Sequence, residues 1–143
     1  MTFPSPLPAE LAVLLTDDDA APFWEMTRQR RLCFQQCSDC GTFRQPPGPL
    51  CPNCRSRATT WTETPGAGTV FTFTTVVHPV HPAVVDFVPY LVALIEFPDV
   101  PGIRLVSNLV EVEPGAVSIG MSVEVAWDEM SDEVVIPRFR PAA

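Results

Sequence analysis

Two Cys-x-x-Cys steps restrict this chain more than any other feature: Cys37-Ser38-Asp39-Cys40, ten residues, then Cys51-Pro52-Asn53-Cys54. A Cys-x-x-Cys step turns tightly enough to aim two thiolates at one point. Two such steps joined by a hairpin supply the four sulfurs of a structural zinc ribbon. Four zinc–sulfur bonds of about 2.3 Å close a tetrahedron and leave no position for water or substrate. The predicted ion is therefore structural. In a secreted protein the same residues serve as disulfides, and a lone Cys-x-x-Cys as a redox pair. Two observations argue against that: the five cysteines are odd in number, and residues 1–10 are proline-rich, without a basic start and an apolar core. The fifth thiol, Cys33, lies in the apolar run Leu32-Cys33-Phe34 and is read as buried.

The 17 prolines in 143 residues argue against long helices. Residues 1–18, with Pro4, Pro6 and Pro8, are expected as an extended tail whose apolar run at 11–15 packs on the domain itself. Asp17, Asp18 and Asp19 supply capping groups and Pro22 fits a first helical turn, so a short helix is predicted over 19–30, anchored by Phe23 and Trp24. That helix and the ribbon make up residues 19–63, with strands at 32–36 and 59–62 and a hairpin arm at 43–49.

Pro65-Gly66-Ala67-Gly68 marks a boundary, and 64–143 reads as a second, β-rich domain. Strands are predicted at 69–77, 90–97, 103–110, 122–127 and 133–139, with one helical turn at 117–121. Phe71, Phe73 and Val77 are expected on one face of the first, and the second is apolar enough to be buried throughout. The fold class is thus mainly β, with a short helix, a rubredoxin-like ribbon and a five-stranded OB-type barrel. An SH3-like barrel or a short sandwich fits the same runs, because periodicity carries no strand order.

The formal charge of −8, from 17 acids against 9 basic residues, weighs against non-specific binding of nucleic acid. Every basic residue is Arg, and six of the nine lie between Arg28 and Arg57, where Asp39 is the only acid. Arg28, Arg30, Arg31, Arg44, Arg55 and Arg57 thereby predict a positive patch suited to a phosphate-bearing ligand or an acidic partner. No apolar run approaches the roughly 20 residues of a membrane span, and a cytoplasmic location is the expectation.

An ordered set of fragments carries a resemblance. Pro22-Phe23-Trp24, Gln36-Cys37, Arg44-Gln45-Pro46-Pro47 and Cys51-Pro52-Asn53-Cys54 come first. Gly68-Thr69-Val70, Pro89-Tyr90, Ile119-Gly120-Met121, Val123-Glu124-Val125 and the closing Pro137-Arg138-Phe139-Arg140-Pro141 follow. From about residue 19 to the end, the chain resembles the acyl-CoA-associated family in which a rubredoxin-like zinc ribbon precedes an OB-fold. The resemblance implies a non-catalytic accessory subunit of a thiolase-like or lipid-transfer-protein-like enzyme, whether thiolase, acyltransferase or retro-aldolase. It implies acyl-CoA thioesters as substrates, including those of sterol side-chain degradation. A heterotetramer with the catalytic subunit is the implied assembly, and a MaoC-like hydratase a further partner. The metal ligands carry over to Cys37, Cys40, Cys51 and Cys54, and no catalytic residue carries over. Acyl-CoA is then a candidate ligand, and the six arginines with Phe23 and Trp24 are candidate contacts to CoA or to the partner.

Two rival readings come from other classes. OB-folds and ribbons also bind single-stranded nucleic acid, but residues 64–143 hold ten acids and three arginines. A free-standing acyl-CoA enzyme would use His78 and His81, which sit three apart in a proline-rich loop with Asp86 near in sequence. Ser107 and Ser118 lack the context of a nucleophile elbow.

Overall fold

The computed structural model describes residues 3–14 and 16–143. The tail expectation therefore includes Met1, Thr2 and Leu15, which lie outside the described residues. Helix α1 (Ala21–Arg28) begins where Asp17 accepts from Ala20 N through its carboxylate and from Ala21 N through its carbonyl, with Pro22 in the first turn. It is shorter than predicted at both ends. Arg30 adopts φ +56°, Arg31 N bonds Met26 O and Arg30 N bonds Thr27 O. This is the Schellman pattern, which satisfies the last carbonyls and stops the helix.

Strand β1 (Leu32–Cys37) lies between β2 (Phe43–Arg44) and β3 (Thr59–Thr64) in an antiparallel three-stranded sheet. Side chains alternate along a strand, so Leu32 and Phe34 share the face that enters the main apolar core. Cys33 and Gln35 point to the opposite side and are buried there.

The remaining strands are β4 (Ala67–Val76), β5 (Tyr90–Glu96), β6 (Leu105–Leu109), β7 (Ser122–Glu129) and β8 (Val135–Pro141). They close a barrel in the order β4-β5-β6-β8-β7. All pairs are antiparallel except β6 with β8, joined at Leu109 and Phe139. This is the five-stranded Greek-key barrel of the OB-fold. Gly68 permits the closure: a Cβ there would lie 2.5 Å from Glu96 O and 2.8 Å from Ile95 Cγ2. Among the described residues, no helix is long and apolar enough to cross a membrane.

The core runs through both sheets as a chain of aromatic rings. Phe23 to Phe34, Phe34 to Phe97 and Phe97 to Phe139 lie at centroid distances of 6.3, 5.3 and 5.7 Å, in the range of favourable aromatic contact.

In the tail, Leu11 and Val13 of the run expected to pack on the domain are exposed, and three details of the barrel also differ from the sequence expectation. A register shift between Val70 and Thr72 bulges β4, so Val70 takes the interior place and Phe71 faces out under the Arg104 guanidinium, 3.7 Å from its ring centroid. Strand β5 alternates: Leu91, Ala93 and Ile95 are buried, whereas Val92 and Leu94 on the other face are half-buried. The helical turn falls at Pro114–Ala116 and is a 3-10 turn; Gly120, at φ +88°, instead bends 117–121 into β7.

Candidate metal centre

Each cysteine pair sits on a turn of the same construction. In the first, Gly41 N bonds Cys37 O at 3.0 Å and Gly41 takes φ +79°. In the second, Arg55 N bonds Cys51 O at 2.9 Å and Arg55 takes φ +64°. The residue after each second cysteine must be left-handed for the turn to fold back. Glycine meets that demand without strain in one turn, and an arginine meets it in the other.

The four sulfurs of Cys37, Cys40, Cys51 and Cys54 all lie within 4.8 Å of one another. Cys37 Sγ is 3.6 Å from Cys54 Sγ, and Cys40 Sγ is 3.5 Å from Cys51 Sγ. A tetrahedral zinc tetrathiolate with bonds of about 2.3 Å has sulfurs about 3.8 Å apart. The donor set therefore fits the ion in number, element and spacing. Cys33 stands apart, buried on β1, and burial pushes its thiol up.

The thiols are not equivalent. The Thr42 hydroxyl, 3.2 Å from Cys40 Sγ, does most to lower that thiol, followed by the Asn53 amide at 3.5 Å and the Thr42 backbone amide, and the thiol comes down to about 5. The backbone N–H of Cys40 is the main group lowering Cys37. At Cys54 the Ser56 backbone amide pulls down, but desolvation and the three neighbouring cysteines prevail and raise it to about 12. Four thiols in contact do not all ionise unaided. A dication removes that conflict, because coordination deprotonates the thiol outright.

Of the arginines expected to form a positive patch, one is inside the fold. Arg44 is buried, with Nε and Nη2 donating to Gly48 O at 3.1 and 2.9 Å, while Gln35 Oε1 accepts from Gly48 N. It fastens the arm between the cysteine pairs. Three others are neutralised: Arg28 by Glu25, Arg31 by Glu63 and Arg30 by Glu129 on β7. Arg55 and Arg57 are exposed and have no ion-pair partner among the described residues. Phe23 is buried, and Trp24 meets it edge-on at 5.1 Å. Both line a cleft of about 320 Å³ with Gln45, Pro46, Val106 and Ile136.

His78 and His81 are exposed, and His81 Nδ1 accepts from Ala83 N at 3.1 Å, capping a short 3-10 turn. Ser107 donates to Pro137 O. A polar group that pattern-reading overlooked is the buried cluster on β6, β7 and β8. Arg138 donates from Nε to Asp128 at 3.1 Å and from Nη1 to Asn108 Oδ1 at 2.7 Å. Asn108 in turn donates to Leu91 O, and the Ser5 hydroxyl of the tail reaches Asp128 at 2.7 Å. A charged residue two places from the chain's last apolar run was its only sequence signal.

Comparison with known proteins agrees with this geometry. Models described as the ChsH2 rubredoxin-like zinc ribbon domain and the ChsH2 C-terminal OB-fold domain match residues 24–60 and 61–128. A probable enoyl-CoA hydratase alpha subunit of Thermomonospora curvata is 44% identical over 124 residues, covering 87% of this chain; the chain spans 38% of that relative's length. A DUF35 domain-containing scaffold protein of Methanocaldococcus jannaschii is 33% identical over 126 residues, 84% of either chain. Among solved structures, a chain of the complex titled Ltp2-ChsH2(DUF35) aldolase superposes with a TM-score of 0.83 at 42% identity, covering 92% of this chain and 100% of that one. With the ribbon, the barrel, a match over 84% of the Methanocaldococcus jannaschii protein and one over the whole of the solved chain in agreement, the chain belongs to the DUF35 family, of the ChsH2 zinc-ribbon and OB-fold type.

Proposed function

We propose that this chain is a non-catalytic accessory subunit that docks on a thiolase-like, lipid-transfer-protein-like enzyme acting on acyl-CoA thioesters, with an aldolase as the favoured partner. The observation that carries the reading is the likeness, over 92% of its length, to the chain of the Ltp2-ChsH2(DUF35) aldolase. The site chemistry supports it. Four thiolates fill the coordination sphere of zinc, so the ion holds the two turns together and has no position for a substrate oxygen. Exposed His78 and His81, with one ring nitrogen of His81 already engaged, make no hydrogen bond to a nucleophilic side chain among the described residues. The partner supplies the reacting groups.

On this reading, Arg55, Arg57 and Trp24 are the contacts to CoA phosphates or to the partner, since the other predicted arginines are paired or buried. Sterol side chains are the acyl class, and a heterotetramer of two accessory and two catalytic chains is the assembly. A second reading has an observation of its own. The Thermomonospora curvata relative is named a hydratase subunit, and the chain corresponds to about a third of it. A MaoC-like hydratase is the partner in that case.

A tagged pull-down from the native host at moderate salt, read by mass spectrometry, tests both. A near-stoichiometric thiolase-like protein supports the first reading, and a hydratase supports the second. Acyl-CoA turnover by the purified chain alone, lost when His78 and His81 are both replaced, would overturn them.

A further inference from the structure

The metal centre has a buried edge and an exposed one. Cys37 and Cys51 are buried, whereas Cys40 and Cys54 are exposed. The two exposed sulfurs differ in what surrounds them. Cys40 Sγ has the Thr42 hydroxyl at 3.2 Å and the Asn53 Nδ2 at 3.5 Å. Cys54 Sγ meets Cys37 Sγ at 3.6 Å, and among the described residues no side-chain N–H or O–H donor bonds it. Next in the chain comes Arg55, a cation without an ion-pair partner among the described residues.

From this asymmetry we infer that Thr42 and Asn53 form an outer shell that shields Cys40, and that Cys54 is the modification site of the centre, the thiolate that soft electrophiles reach first. Hydrogen bonds to a metal-bound sulfur draw off electron density, fix the ligand's orientation and lower its nucleophilicity. An exposed thiolate that has the Ser56 backbone amide as its donor and no side-chain donor keeps more of its lone pair available. With an alkyl halide the step balances simply. The Cys54 sulfur lone pair forms a new S–C bond, the carbon–halogen bond breaks, and halide leaves with the electron pair. The thioether that remains carries no charge and is a weak zinc ligand, so modification at this one residue loosens the whole ribbon. Polar side chains at Thr42 and Asn53 thus decide which of two otherwise similar cysteines the centre exposes to chemistry.

This inference rests on zinc occupying the four cysteines, as proposed above. The experiment therefore begins with the metal content of the full-length chain by plasma mass spectrometry. The zinc-loaded protein is then treated with iodoacetamide, and each cysteine's labelling is followed by peptide mass spectrometry while a chromogenic chelator reports released zinc. Cys54 is expected to label about tenfold faster than Cys40, with Cys33, Cys37 and Cys51 protected until zinc appears. In Thr42→Val with Asn53→Ala, Cys40 labelling should rise to the Cys54 rate and zinc affinity should fall about tenfold, the lower end for loss of outer-shell partners. Early protection of Cys33, buried on β1, reports that the double variant is folded. Asn53→Gln, which keeps the amide, should restore part of the shielding. Equal labelling of Cys40 and Cys54 in the unaltered zinc-loaded chain, or a ratio unmoved by the double variant, would overturn this inference alone. A chain that carries no zinc would overturn it together with the metal reading.

Discussion

Strand β1 has two ends that are held by different physics. At its near end Leu32 and Phe34 are buried in the same apolar cluster as Val70, Ile95, Phe97 and Phe139 of the barrel. At its far end Cys37 enters the first turn, and from there to Ala58 the chain places little in that core. Phe43 packs partly against it, while Leu50 is exposed. The near end is stabilised by apolar area removed from water. The far end, too small to build a core, relies on four thiols, a few backbone bonds and Arg44 across Gly48 O. One strand thus couples a lobe gathered around four cysteines to a barrel built on an apolar core.

The sharpest way to break that contrast is Cys51→Ser. Apparent zinc-binding energies of about 10–16 kcal/mol become folding energy in small metal lobes, so losing one ligand should release the ion and unfold the far end. Amides of residues 38–58 should lose protection in hydrogen exchange, while β4 to β8 keep theirs and binding to the proposed catalytic partner is lost. If the barrel amides collapse as well, the two ends are a single cooperative unit and the contrast is wrong.

Phe34→Ala probes the junction. Phe34 is fully buried and touches the Phe23 and Phe97 rings. Truncation should cost about 3–5 kcal/mol and appear in denaturant unfolding of the whole chain with zinc still bound. A loss confined to the ribbon would mean that β1 does not couple the two lobes.

Next comes Asp128→Ala in the barrel. It leaves the Arg138 guanidinium buried without its carboxylate and removes one partner of the Ser5 hydroxyl, which keeps Leu7 O and Met130 Sδ. About 3 kcal/mol should be lost. Asp128→Leu combined with Arg138→Met should recover most of it, because the pair is taken out together. Zinc content should not change in either variant. A drop in bound zinc would show that the barrel's polar cluster reaches the far end of β1.

Legibility followed the same divide. The metal lobe is written locally: spacing alone picked out the four cysteines whose sulfurs converge, and a glycine, Gly41, stands at the left-handed position of the first turn. The second turn was less visible, because Arg55 occupies the position that Gly41 fills. In the barrel, alternation revealed strands but neither their order nor the bulge that turns Phe71 outward. Both depend on pairing between residues far apart in sequence. The arginines were the largest departure. Their clustering in sequence implied a shared patch, yet their partners Glu63 and Glu129 come from β3 and β7, and Arg44 is turned inward. Charge counted along a chain says nothing of the acids that folding brings beside it.

The smallest effects come from two arginines in left-handed backbone, Arg30 at φ +56° and Arg55 at φ +64°. Left-handed φ costs a non-glycine residue roughly 1–2 kcal/mol, so Arg→Gly at either site removes strain, while glycine's freer unfolded chain returns part of the gain. For Arg55→Gly a net gain of about 0.5–1 kcal/mol is expected, seen as slower zinc release to a chelator, with barrel unfolding unmoved. Arg30→Gly also removes the exposed pair with Glu129, which joins the end of α1 to the barrel. Exposed pairs contribute about 0–1 kcal/mol, so the two changes offset one another and the midpoint should stay nearly constant at low salt. At high salt the pair is screened, and the strain relief should then appear as a rise in midpoint over the unaltered protein. If Arg30→Gly instead destabilises by the same amount at every salt concentration, the ionic link is not what joins the two lobes there, and the Arg30 side chain contributes through packing.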